Sequence, residues 1–447
     1  MSYREKNYYL EDMSEENMLR TKYKFTNLIM VYIYVLYLLW ELTPYFTWNT
    51  YKNGLLGYFF GIPYQYIFAA LAIIVYFIGS PKIKLKKTEK YLIIGILALG
   101  IFHIVICGFN ISNIASVVWI RYIMTALYIM LPIELKKKIF DTYRIVFAIS
   151  LVPGIIYSIL SIMSINVPHD FLESIETIKQ DRNYSYIHYP LAVQLYHNYG
   201  WDSLSLYRLC GIYNEAGLVG TLCALFLVAD KYRIKNRWEN TVLLVSGTLS
   251  FSLAFYLILG VYFVLINIGK HKFKNAMSLV GVIFAIIVFL NMDFDNPALS
   301  EIQSRLQIAD GELVGDNRTN SRFDKLFDEI YDDPVAIIVG YGMGSIGTIQ
   351  RRFLIDGSSY KCLIYDYGYL GVGVFIIWLY FLAHTQKGTK WSPNIVVLFV
   401  IYLLNIYQRP SMFYPSYLII FIGGVYCMNL PDSSLQNGTH RRIRIML

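Results

Sequence analysis

YRLCGIYNEAGLVGTLCALFLVA, residues 207–229, passes from an arginine to a carboxylate to an unbroken apolar run. After Arg208 the only side chain in it charged at neutral pH is Glu215. The run does not alternate polar with apolar residues, as a barrel strand would. It approaches the ~20 helical residues that cross a hydrocarbon core of about 30 Å. Comparable runs cover residues 25–42, 66–78, 91–109, 111–131, 143–163, 276–290, 362–382, 395–407 and 417–428. Composition agrees: 56% of residues are hydrophobic and 16% charged, where a soluble domain carries about 25% charged. The expected fold is an all-α polytopic membrane protein, with residues 1–447 forming a single integral membrane domain.

Charge placement predicts the topology. Lys82, Lys84, Lys86, Lys87 and Lys90 form one basic connection, Lys136 to Lys138 a second, and Lys231, Arg233, Lys235 and Arg237 a third. Lys270, Lys272 and Lys274 form a fourth, and Arg441, Arg442 and Arg444 end the chain. Basic connections face the cytoplasm, so tails 1–24 and 430–447 are expected there. The same count places polar stretches 166–211 and 291–361 outside, as two large periplasmic loops containing short helices. Segment 241–269 is too long for one untilted span and short for two. A turn near Ser250-Phe251-Ser252 resolves this and brings the total to about 12 spans. The net charge of +8 sits in these connections, so no nucleic-acid partner is expected. The five cysteines and the loop histidines His169, His188 and His197 show no ligand spacing, so neither metal nor cofactor is expected. No disulfide is expected between Cys210 and Cys362. No cleavable signal peptide is expected either, because the first span reads as an anchor.

The polar stretches hold the candidate chemistry. Arg208 is an outer arginine against the inside bias, and Glu215 enters the first turns of a span. An ionisable group at membrane depth points to function. Pairing of Arg208 with Glu215 is the structural alternative. Phe323, Leu326, Phe327 and Ile330 share one face of a short helix over 321–332 that Asp333-Pro334 stops. Arg322 falls in its first turn, where the dipole disfavours a cation unless an anion binds. Arg318 lies just before it, with Asp310, Glu312, Asp316, Asp328 and Glu329 as alternative partners. Gly342-Met-Gly-Ser-Ile-Gly347 matches a dinucleotide fingerprint formally, but no βαβ unit surrounds it. It reads instead as a close-approach turn. Asp366, before Gly368 and Gly371, either caps the next span or takes part in chemistry. Arg121 lies within a span, where it either reaches an anionic substrate or pairs with Glu41 or a backbone carbonyl. His103 reads as a satisfied core residue. The 40 tyrosines fit an interfacial belt.

Four motifs in this order resemble the O-antigen polymerase and ligase superfamily. They are Arg208-x-x-Gly211-x-x-x-Glu215 entering a span, the paired short segment 241–269, and Arg322 with its helix leading to Pro334 and Gly340-Tyr-Gly-Met-Gly344. The fourth is Asp366-x-Gly368-x-x-Gly371. The resemblance implies a metal-independent glycosyltransferase in the bacterial cytoplasmic membrane, using undecaprenyl-pyrophosphate-linked oligosaccharide at the periplasmic face. It implies Arg208, Glu215, Arg322 and Asp366 as catalytic residues, and Arg121, Arg318, Tyr341, Gly342 and Gly344 as substrate contacts. Membrane lipid and a chain-length-regulator protein are the implied partners. Ligases of the superfamily are expected to carry a histidine eleven residues before Gly368; Gly357 stands there. That departure favours a polymerase of O-antigen-type surface polysaccharide over a ligase. A repeat-unit flippase is the third reading, and it leaves the outer arginines unexplained. The general base stays open between Glu215 and Asp366, since a carboxylate drawn out of water is a stronger base.

Overall fold

The computed structural model describes residues 26–48, 64–79, 85–105, 117–163, 165–173, 184–197, 207–235, 237–267, 303, 308–309, 312–313, 321–342, 344–353, 359–385, 392–409 and 411–428. The described residues are mostly helical. It runs through α1 (Thr26–Glu41), α2 (Tyr64–Gly79), α3 (Lys87–Val105), α4 (Val117–Met130) and α5 (Ile133–Ile162). Strands β1 (Asp170–Glu173), β2 (Tyr184–Tyr189), β3 (Ala192–His197) and β4 (Arg208–Gly211) follow. Next come α6 (Ala216–Ala229), α7 (Trp238–Leu249) and α8 (Leu253–Asn267). After them lie the short α9 (Ser321–Asp328), α10 (Pro334–Val339) and α11 (Ser345–Phe353). The last three are α12 (Tyr360–Thr385), α13 (Pro393–Gln408) and α14 (Pro415–Met428). Among the described residues α3, α5 and α12 are long and apolar enough to cross a membrane, and α1, α2, α6, α8, α13 and α14 are shorter apolar helices. The expected span 276–290, both tails and Arg318 lie outside the described residues.

Two helices form the centre. Every residue of α14, and every residue of α6 but Leu218, is buried. A helix that is apolar all round has no face to give to water, and so it goes inside. Small residues set how close the neighbours come. A Cβ at Gly424 of α14 would lie 2.9 Å from the Ala229 Cβ of α6. A Cβ at Gly220 would lie 2.8 Å from the Ser250 Oγ. Phe140, Tyr143 and Phe147 of α5 pack their rings on Phe226 of α6.

Ion pairs gather three basic connections at one end of this bundle, called here the basic end. Lys136 Nζ lies 2.8 Å from Glu89. Arg144 is buried and reaches Asp230 at 2.9 Å and Glu239 at 3.1 Å, while Arg233 holds Asp230 at 2.5 Å. Asn240 donates to the other Asp230 oxygen at 2.6 Å. The ambiguous segment folds as the sequence predicts. Helices α7 and α8 meet at Ser250-Phe251-Ser252, where Phe251 takes φ +46°. The rings of Tyr262 and Phe263 then come back to Tyr232, so this helical hairpin starts and finishes at the basic end.

The far end corrects the all-α expectation. Stretch 166–211 was expected to hold short helices; its described residues form an antiparallel sheet in the order β1-β2-β3-β4. Tyr-Ser-Tyr-Ile-His-Tyr and Ala-Val-Gln-Leu-Tyr-His are aromatic and β-branched segments around a Pro190-Leu191 tip, a pattern that suits a half-buried strand pair. One face packs on α5. Gln194 Nε2 donates to Ser158 Oγ at 2.8 Å, and Tyr189 stacks on Tyr157 at 4.4 Å. The other face buries Tyr186, Val193, Leu195 and Cys210 with Tyr45 and Trp48. In the second polar region the predicted helix is α9 continued by a 3-10 turn, Glu329–Asp332. Its four spaced apolar residues are all buried, against Cys362, Ile364 and Tyr365. Asp333 does more than stop it. Its carboxylate accepts from the Val335 and Ala336 amides at 2.9 and 3.1 Å and so caps α10.

Candidate functional site

Glu215 stands between β4 and α6, in extended backbone at φ −151°, so its side chain precedes the first helical turn. Its carboxylate accepts from Arg409 Nη1 at 2.9 Å and Nη2 at 2.7 Å, a bidentate clamp. Arg409 ends α13, and only 9% of its side chain is exposed, against 35% for Glu215. Gly217 makes the clamp possible: a Cβ there would lie 2.5 Å from Arg409 Nη2. The sequence offered Arg208 as the partner of Glu215; the bidentate partner is Arg409. Arg208 Nε donates to the Ser250 carbonyl at 3.1 Å, which ties the sheet to the α7–α8 turn. That turn also packs on Gly220, one helical turn below Gly217.

A second pair repeats the design at α14. Arg121 of α4 donates to Glu41 at 3.2 Å, and its guanidinium lies 3.4 Å from the centre of the Tyr414 ring. The other Glu41 oxygen accepts from the Ser416 amide at 2.8 Å. That amide is one of the orphan donors of the first turn of α14. Each central helix thus begins on a carboxylate held by an arginine, and the connection from Arg409 to Ser416 joins the two pairs. Arg121 thus has the Glu41 partner that the sequence offered.

Beside these pairs, α10 and α12 cross without side chains between them. Gly340 (φ +78°) and Gly368 (φ +65°) sit at the crossing. A Cβ on Gly340 would strike the Asp366 carbonyl, and one on Gly368 the Ile338 carbonyl. The Tyr341 and Gly342 amides donate to the Tyr365 and Asp366 carbonyls at 2.8 and 3.1 Å. Asp366 was expected to cap its own helix or to serve in chemistry. The helix it caps is α11 and not its own: it accepts from the Gly344 and Ile346 amides at 2.9 and 3.0 Å. Gly342 and Gly344 are therefore turn residues of this clasp, both at positive φ. The Tyr341 ring lies 4.7 Å from that of Tyr365. Burial, then the carboxylates of Asp333, Glu329 and Asp332, push its phenol above the ordinary range. Tyr367 carries the clasp to the second pair, with its ring 4.2 Å from His103 and 5.1 Å from Phe413. His103 is satisfied in the core by Tyr122 and the Gly371 carbonyl.

Arg322 occupies the second position of α9, and its side chain lies outside the described residues. Helix α9 itself is placed. Lys361 holds Asp324 at 2.5 Å, and Tyr360 stacks at 5.4 Å on Tyr407, two residues before Arg409. The far end thus gathers Arg208, Glu215, Arg121, Asp366, Tyr341, Gly342 and Gly344, with the backbone of Arg322. Sequence reasoning missed Arg409. Its signal was there: an arginine directly after the apolar run 395–407, on a connection expected outside, as for Arg208.

The arrangement suits an anion. Two helix N-termini carry partial positive charge, and three guanidinium groups stand near them, matched in shape to phosphate oxygens. Among the described residues no group of His, Cys, Asp or Glu is arranged to hold a metal ion. No protein-family model matches the chain, and no curated protein or solved structure matches it either.

Proposed function

We propose that the protein is a multi-pass polymerase of bacterial surface polysaccharide. It would transfer a growing glycan from undecaprenyl pyrophosphate to an incoming lipid-linked repeat unit, at the face of the cytoplasmic membrane opposite the basic connections. The observation that carries the reading is the doubled design at the far end: Glu215–Arg409 and Glu41–Arg121 at the starts of two buried helices, with Arg208 alongside. In the reaction an acceptor hydroxyl oxygen attacks the anomeric carbon of the donor sugar. The bond from that carbon to the pyrophosphate oxygen breaks, and the bonding pair leaves on pyrophosphate. Arg208, Arg409 and Arg121 stabilise that charge, with Arg322 approaching from α9. Arriving pyrophosphate competes with Glu215 for Arg409, and the released carboxylate takes the hydroxyl proton. Asp366, with both oxygens on backbone amides, is left to structure.

Replacing Arg208 or Arg409 by Ala should leave cells with single-repeat glycan while the protein still inserts in the membrane. Long chains of normal distribution from both variants would sink the assignment. Polymer stranded on undecaprenyl pyrophosphate in a deletion strain would make the protein a ligase, and repeat units held on the inner leaflet would make it a flippase.

A further inference from the structure

Helix α5 has 30 residues, about 45 Å, half as long again as a hydrocarbon core of about 30 Å. Its first half is tied to the basic end through Lys136 and Arg144. Counting about 20 residues on from Lys138 puts the opposite edge of the hydrocarbon near Ser158. Ser158 is where the sheet docks, through Gln194, with Tyr157 and Tyr189 stacked beside it. The sheet therefore does not stand clear of the membrane; its hairpin tip starts at the boundary.

The outward side of α5 carries exposed Ile149, Ile156, Ile159, Ile162 and Met163, an aliphatic stripe without a charge. Two residues of the sheet extend it sideways. Leu191, at the β2–β3 tip, is 67% exposed, and Phe171, on the edge strand, is 62% exposed. His169 sets its ring against both Phe171 and Tyr189.

We propose that this edge of the sheet, led by Leu191 and Phe171, is seated in the outer leaflet of the bilayer. The inference rests on α5 spanning a membrane and not on the polymerase reading. Continuity with the stripe of α5 selects lipid as the occupant. A sugar is the poorer fit, because Tyr189 already has one ring face covered by Tyr157, and Leu191 offers no hydrogen bond. Tyr157 and His169 fall where amphipathic rings favour the headgroup level. The seat fixes the height of β4, and with it Arg208, relative to the lipid headgroups.

The test uses the full-length protein, one copy per lipid nanodisc, with a nitroxide on Leu191→Cys, Phe171→Cys or Asp170→Cys. Asp170 neighbours Phe171 on β1 and points to the opposite face of the sheet. The labelled wild type gives the background from the native thiols, four of which are buried. Relaxation by oxygen should exceed relaxation by a water-soluble nickel chelate at 191 and 171, with the reverse at 170. Nickel access at 191 and 171 equal to that at 170 would overturn the proposal. So would protection from both relaxants, which would mean that protein covers this edge.

Discussion

Glu41 has 4% of its side chain exposed, and its charge is matched by Arg121 and the Ser416 amide alone among the contacts described above. Removing one partner of such a pair leaves a buried charge uncompensated. Arg121→Ala should therefore destabilise the protein by about 3–5 kcal/mol. Pairing Arg121→Met with Glu41→Gln should recover most of that. Unfolding of the purified variants in detergent checks both, and a double variant no better than the single would count against the pair. Glu215 is more open, and water screens it when Arg409 is lost. Arg409→Ala should cost little stability yet, on the polymerase proposal, slow turnover by about a hundredfold, the scale for losing one charge-stabilising donor. Gly217→Ala should do the same without touching any charge, since its methyl group would occupy the place of Arg409 Nη2. Glycan ladders from cells carrying each variant report the outcome; a normal ladder from Gly217→Ala would separate the clamp from activity. This scale was half legible in the sequence. A charged residue inside or beside an apolar run is conspicuous, so Arg208, Glu215 and Arg121 stood out. Which arginine meets which carboxylate depends on helix packing, and Glu215 and Arg409 are 194 residues apart.

Local periodicity explains what was legible among the elements. The spacing of Phe323, Leu326, Phe327 and Ile330 specified α9, and the charges flanking 241–269 demanded a hairpin. The sheet escaped because tyrosine fits both a strand and an interfacial belt, and the belt was already the reading. The glycine cluster was read as a close approach, but its counterpart Gly368 looked like a residue of a span. Both glycines have positive φ, and a side chain on either meets backbone that cannot swing aside. Gly340→Ala and Gly368→Ala should each loosen residues 321–353 as a unit. Limited proteolysis should then cut within that segment at protease levels that spare the wild type. Asp366→Ala, which strips the cap from α11, should cost about 1 kcal/mol and show the same pattern more weakly. If Asp366→Ala abolished turnover while leaving proteolysis unchanged, the carboxylate would have a chemical role after all.

For the molecule as a whole, the buried network around Arg144 sets direction. It ties the first half of α5 to the connection between α6 and α7, so the start of α5 and that connection lie toward the same side of any membrane the bundle crosses. Cysteines placed at Lys138 and Lys235 should react with an impermeant maleimide from one side, and a cysteine at Tyr341 from the other. Labelling of all three from one side would break the two-ended arrangement. Charge clusters announced the basic end in the sequence, because that bias acts on each connection separately. The sequence also placed both polar stretches at the far end, but which of their residues pair there was not announced, since that depends on how many elements pack at once.

The 194 residues between Glu215 and Arg409 also set a timetable. Chains lengthen at about 5–20 residues per second, so α6 leaves the ribosome roughly 10–40 s before its arginine exists. Glu41 waits less, since Arg121 follows after 80 residues, but the Ser416 amide comes 375 residues later. During synthesis the two central helices are the least finished part of the protein. Helix α6 is buried on nearly every side and packs its Ala229 against Gly424 of α14, so it lacks that neighbour until α14 is made. Helices α13 and α14 (Pro393–Gln408 and Pro415–Met428) are therefore the step that closes the described bundle, and truncation before Arg409 should send the nascent protein to degradation rather than leave a shortened bundle.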